Sequence, residues 1–188
     1  MTLSNVGKTL AFVVLILSSM VAAASEPDVA ARNKQIVSEA FDRWAAGGNS
    51  FFSEMLTPDI VWTIKGSGPS AGVYRGLDPF IEQAIRPFVS RLSRPVRPVS
   101  KQVWADGDHV IIQWDGAGMA RDGQAYNNSY AWIFHMRDGK AVEVTAFLDL
   151  APYDDVLRRI PEATASRQPV PQQQRAHQTD HRNDGLQH

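Results

Sequence analysis

The chain contains no cysteine. Disulfides, thiolate metal sites and the lipid-bearing cysteine of a lipoprotein anchor are therefore excluded, and stability has to come from a packed core. Charge of one sign is also lacking. The 19 Lys and Arg against 20 Asp and Glu leave a formal net charge of −1, so no strong field points to nucleic acid or to an anionic membrane surface. The one mild basic cluster, Arg86, Arg91, Arg94 and Arg97, reads as a solvated helix end and loop. There is no phosphate loop or dinucleotide fingerprint, because Gly66-Ser67-Gly68 is not followed by a helix start. Ser67 and Ser70 have no nearby His-Asp pattern, and His109 and His135 lack metal-ligand spacing. His177 and His181 are four apart in a segment not expected to be helical. No metal and no cofactor are expected. Long apolar runs are absent save one, Leu10 to Leu17, fading by Val21. At about 12 residues it is well short of the ~20 needed to cross hydrocarbon. With Lys8 before it and Ala22-x-Ala24 after it, residues 1–24 read as a secretory signal peptide cleaved near Ala24. The mature protein is then expected to be periplasmic or secreted, with no membrane association.

What remains is ordinary globular sequence, 44% hydrophobic and long enough for one domain over 28–160. Ile36, Val37, Ala40, Phe41 and Trp44 recur at helical spacing, predicting a helix over 28–46 capped by Asp28 and stopped by Gly47-Gly48. A short helix at 50–55, a strand at 59–65, a Gly/Ser/Pro loop at 66–72 and a third helix at 77–92, kinked at Pro87, follow. Then come four strands, 99–105, 109–120, 124–136 and 140–150, separated by Asp106-Gly107, Asp122-Gly123 and Asp138-Gly139, the dipeptides that hairpin turns favour. A short helix at 153–159 closes the domain. From Pro161 the Gln-, Pro-, Arg- and His-rich sequence holds too little apolar surface to order itself, so 161–188 reads as a disordered tail.

Phe41…Trp44…Gly47-Gly48, Gly72-x-Tyr74-x-Gly76, the run from Tyr126 to Phe134 and Phe147-Leu148-Asp149, taken in order, resemble the SnoaL-like, ketosteroid-isomerase-related branch of the NTF2-like superfamily. Phe41…Trp44…Gly47-Gly48 ahead of Phe52…Leu56-Thr57-Pro58-Asp59-Ile60-Val61-Trp62 looks like that family's passage from first helix to first strand. Gly72-Val73-Tyr74-Arg75-Gly76 resembles its lead-in to the third helix. The run from Tyr126 to Phe134 with Asp138-Gly139-Lys140 resembles its central hairpin, and Phe147-Leu148-Asp149 its end. The resemblance covers about 33–157 and implies an α+β fold, a cone of curved antiparallel sheet wrapped around N-terminal helices, with an internal pocket and frequent pairing through the sheet. Such a fold hosts isomerases, cyclases, hydrolases and binders, so function has to be read residue by residue.

The comparison removes the best-known chemistry. The ketosteroid-isomerase base, tyrosine and strand aspartate match Thr63, Phe41 and Trp132; that aspartate is also the polyketide-cyclase acid. The Asp, Arg and Asp of limonene-epoxide hydrolases match Asp115, Gln113 and Ala146, so one of three remains.

Strand alternation, with the family register, assigns the cavity to Val142, Val144, Ala146 and Leu148, to Asn128, Tyr130, Trp132 and Phe134, to Ile111, Gln113, Asp115 and Ala117, and to Trp62. These aromatics serve equally as ligand lining or as plain core. A desolvated Asp115 would have a raised pKa suited to an acid or base, or it pairs locally near Gly116. Two functions follow: a binder of a hydrophobic oxygenated small molecule, or an isomerase, cyclase or hydratase using Asp115 on a polyketide- or steroid-like substrate. The opposite set, Ile112, Trp114, Ile133 and Phe147, is expected on the outer face, where such an apolar patch implies a homodimer with Trp114 near its centre.

Overall fold

The computed structural model describes residues 28–162. The segment read as a signal, 1–24, and all but the first two residues of the expected tail lie outside the described residues. Helix α1 (Val29–Ala45) begins where the Asp28 carboxylate accepts from the Ala30 N–H, and it buries Val37, Ala40 and Phe41 on one stripe. It is followed by α2 (Phe51–Met55), β1 (Leu56–Ile64) and β2 (Gly72–Arg75), a short strand that the loop-like sequence did not announce.

The helix expected over 77–92 is built differently. It runs as α3 (Leu77–Phe80), a π-helical turn over Ile81–Ile85, and α4 (Arg86–Val89). Pro87 has no N–H to give the Gln83 carbonyl, and its ring would press on that group in a regular helix. The wider turn just ahead of it is the local solution. The chain then enters β3 (Leu92–Asp106), earlier than the expected Val99. Pro95 and Pro98 fall in this added stretch. They are tolerated because β3 is an edge strand, where a missing backbone donor is not needed. β4 (His109–Ala120), β5 (Ala125–Arg137) and β6 (Lys140–Leu148) follow through tight turns. α5 (Leu150–Arg159) is capped by the Asp149 carboxylate accepting from the Ala151 N–H.

The six strands form one curved, unclosed sheet in the order β2-β1-β6-β5-β4-β3, antiparallel throughout except where β1 runs parallel to β6. α1 packs across β3 and β4 on the concave side. α5 closes one end, its Tyr153 ring stacked on Phe88 of α4 with centroids 4.2 Å apart. The core is thus a cone filled from inside by rings.

Two parity assignments need correction. In β4 the inward residues are Val110, Ile112, Trp114, Gly116, Gly118 and Ala120, while Ile111, Gln113 and Asp115 are exposed on the outer face. Ile112 pairs directly with Trp132, and Trp114 with Tyr130, so all four share the concave side. The physical reason is plain alternation: the buried set is wholly apolar, the exposed set mostly polar. In β6, a bulge around Val142 lets Ala141 and Val144 both turn inward and leaves Val142 half-buried.

Gly116 is where this parity becomes a packing requirement. A Cβ there would lie 2.7 Å from Val96 Cγ1 and 2.8 Å from Trp114 Cζ3. Gly116→Ala is expected to cost about 1–3 kcal/mol through overpacking, seen as a lower urea midpoint with an unchanged slope. A wild-type midpoint in this variant would mean that Trp114 does not sit where the register puts it.

Candidate functional site

The concave face carries a cavity of about 120 Å³. Its sheet wall is Trp62 and Ile64 of β1, Trp114 of β4, Tyr130 and Trp132 of β5, and Ala146 and Leu148 of β6. The helices supply Trp44, Phe52, Phe80 and Phe88, and Tyr153 closes the end. Val89, Leu92, Pro95 and Val96 form the side where α4 gives way to β3.

Trp132 is the hub of this wall. Its ring lies 5.0 Å from Trp62 and 4.9 Å from Trp114, both edge to face, and is stacked against Trp44 at 6.1 Å. Trp114 lies flat on Tyr130, centroids 3.9 Å apart with 8° between planes. Phe41 backs Trp114 and Trp132 from α1. The positions that the catalytic templates would use are therefore filled by apolar packing: Phe41 is core, Trp132 occupies the cavity wall, and Thr63 lies opposite Thr145 beside the outer Ile133.

Of the residues expected to bind a ligand, Trp62, Tyr130, Trp132, Ala146 and Leu148 do line the cavity. Phe134 is buried deeper, against Trp132, and does not line it. Asn128 is buried but committed elsewhere. Its amide donates to the Tyr126 hydroxyl (2.8 Å) and the Asp149 carbonyl (2.8 Å), and its oxygen accepts from the Ser129 and Asp149 N–H groups. It ties β5 to the start of α5. Gln113 faces away from the cavity.

Asp115 is also a correction. It is exposed on the outer face, where its carboxylate accepts from Ser100 Oγ at 2.6 Å and Ser129 Oγ at 2.7 Å. Those two hydrogen bonds hold its carboxyl below the usual aspartate value, the reverse of what an acid or base in an apolar pocket requires.

The wall's titratable groups are two phenols. Burial pushes the Tyr130 hydroxyl far above its usual range, with the neighbouring Tyr126 adding to it, and burial does the same to Tyr153. Both stay neutral. Tyr153 donates to the Ala84 carbonyl at 3.0 Å. The Tyr130 and Tyr126 hydroxyls share a 2.9 Å hydrogen bond, and Asn128 donates to Tyr126. When the Tyr126 hydroxyl donates to the Tyr130 oxygen, the Tyr130 O–H is left free to donate to a ligand. Trp114 Nε1 is buried without a partner, an orphan donor on a ring of the wall. The site thus offers apolar rings and one or two neutral donors, and neither a carboxylate nor an imidazole lines it.

Sequence reading missed the helix-borne half of this wall, since helix placement over a sheet is not encoded in strand alternation. It also missed Trp114, although the apolar alternate set of β4 marked it.

Comparison with known structures agrees with this geometry. An NTF2-like protein from Burkholderia xenovorans superposes with a TM-score of 0.53 at 18% identity, over 69% of this chain and 98% of the other. A SnoaL-like protein proposed as a polyketide cyclase, from Jannaschia sp., gives 0.52 at 22% identity, over 72% and 97%. TerC, co-crystallised with polyporic acid, gives 0.54 at 18% identity, over 68% and 98%. At these identities the likeness establishes the fold alone. No functionally curated protein matches the chain. Residues 37–144, more than half of the chain, match the SnoaL-like domain family, and with the cone, its internal cavity and these neighbours the chain belongs to that family.

Proposed function

We propose that this protein is an exported binder of a small hydrophobic molecule carrying an oxygen acceptor. The observation that carries the reading is the cavity itself: apolar on every side and rich in aromatic rings, with neutral donors and no carboxylate or imidazole on its wall. Ligand sites of this kind hold mostly apolar molecules and orient them with a few polar groups. Its size suits a single ring, since an apolar cavity of about 150 Å³ accepts benzene. A carbonyl or phenol oxygen would satisfy Trp114 Nε1–H or a free Tyr130 O–H. TerC, which shares the fold, was co-crystallised with polyporic acid, and that supports a small-molecule ligand here. The isomerase, cyclase or hydratase reading through Asp115 loses its residue, which is ionised and outside the cavity. Export rests on residues 1–24 and places the ligand outside the cytoplasm.

Tryptophan fluorescence tests the site. A panel of aryl ketones is expected to quench it saturably, and the corresponding alkylbenzenes more weakly. Trp114→Phe should erase most of that preference, and Ala146→Leu should fill the cavity and weaken every ligand by about tenfold or more. Saturable binding that Ala146→Leu leaves unchanged would place the ligand elsewhere.

The same reading includes a homodimer through the outer face, with its residues revised. Ile112 and Trp114 are inside, so the patch is Trp104, Ile111 and Ile133 in one cross-strand row, with Phe147 beside Ala131 in the next. Trp104, Ile111 and Phe147 are 47%, 42% and 46% exposed, high for large apolar groups on neighbouring strands. A second copy would bury them symmetrically. The double variant Ile111→Glu, Phe147→Glu should sediment as a monomer at micromolar concentration, with its ligand cavity intact. A monomeric wild type would remove the dimer.

A further inference from the structure

The turn between β3 and β4 places the adjacent Asp108 and His109 beside the distant His135. His109 opens β4 and His135 sits near the end of β5, and the two are directly paired across the strands. Their imidazoles lie parallel, 2° apart in plane and 4.8 Å between centroids, on the outer face. Asp108, from the turn, reaches both. Its carboxylate is 2.5 Å from His109 Nδ1 and 3.2 Å from His135 Nε2. These potential ligand atoms all lie within 4.8 Å of one another.

The turn that carries Asp108 is fixed from two directions. The Met136 N–H donates to the Asp108 carbonyl at 2.7 Å, tying the turn to the strand of His135. The Asn33 side-chain amide donates to the Gly107 carbonyl at 3.5 Å, tying it to α1. The row continues with carboxylates on either side: Asp106 is paired with His109, and Glu143 with His135. Directly opposed residues share a face, so both acids flank the imidazoles.

We propose that Asp108, His109 and His135 form a binding site for a divalent transition cation such as Zn²⁺ or Co²⁺. Two imidazoles and a carboxylate are the donor set such ions take, and they leave a position for water, Glu143 or Asp106. A tetrahedral ion with bonds of about 2.0–2.1 Å holds its ligand atoms roughly 3.3 Å apart. The ligand atoms now lie within 4.8 Å of one another, so the proposal requires the three side chains to draw in around the ion. Sequence spacing gives no sign of the site because its two histidines meet only through strand register.

The test uses the full chain, which carries five histidines, three of them in the tail. Zn²⁺ titrated by calorimetry is expected to bind one equivalent per chain, and Zn²⁺ should raise the melting temperature. Acidification should weaken binding, because a metal-bound imidazole must be deprotonated. Co²⁺ should show the visible absorption of a low-coordinate N/O site. His109→Ala, His135→Ala and Asp108→Asn should each weaken Zn²⁺ by about tenfold or more, with the metal-free melting temperature near wild type. Replacing His177, His181 and His188 together with Ala should leave binding unchanged. Absence of saturable binding to about 1 mM, or binding that survives the hairpin variants and disappears in the tail variant, would overturn the proposal.

Discussion

Trp114 lying flat on Tyr130, with Gly116 leaving the gap that makes room for it, is the arrangement on which the interior of this protein depends. Aromatic pairs in offset contact add about 0.5–1.5 kcal/mol each to the burial of their surface. Here they are linked: Trp114 also meets Phe41, Trp44 and Trp132. Removing any ring leaves several others short of partners. The same contacts fix the register of β4, because only one alternate set of that strand can face the rings. Everything chemical follows from that choice. With Trp114 inside, Asp115 must be outside, and the cone keeps donors but no carboxylate.

Much of the fold was legible because its signals are local. The turns at Gly107, Gly123 and Gly139 adopt the positive φ that their Asp-Gly pairs announced, with Asp138 itself at φ 52°. Asp28 caps α1 as its position implied. Interior residues of β5 and β6 followed alternation, with a bulge at Val142 as the exception. β4 was misread where a register borrowed by resemblance overrode its own pattern: Val110, Ile112, Trp114, Gly116, Gly118 and Ala120 contain no polar side chain, whereas Gln113 and Asp115 belong to the other set. The start of β3 at Leu92 was not legible, since a strand through Pro95 and Pro98 depends on an edge position that only the assembled sheet defines. The wall contributed by Phe52, Phe80 and Phe88 was invisible for the same kind of reason.

The outer face has its own logic. Its polar rows are self-contained: Ser100, Asp115 and Ser129 satisfy one another, and Asp108 satisfies two imidazoles. Between these rows lie the exposed Trp104, Ile111 and Phe147, with the half-buried Ile133 among them. Inside and outside are thus divided by chemistry, with ring packing and neutral donors within and, among the described residues, no charged side chain fully buried. A carboxylate moved to the interior of such a cone would lose its serine partners and face a wall of rings, at a desolvation cost of several kcal/mol.

The ionisation of Asp115 tests this division most directly. An NMR titration of its side-chain carboxyl carbon in the folded protein reports which side of β4 it occupies. The account predicts a pKa below the ordinary aspartate value of about 3.9, rising toward it when Ser100 and Ser129 are both replaced by Ala. A value raised well above the ordinary one, insensitive to those serines, would put Asp115 in the cavity and contradict the account.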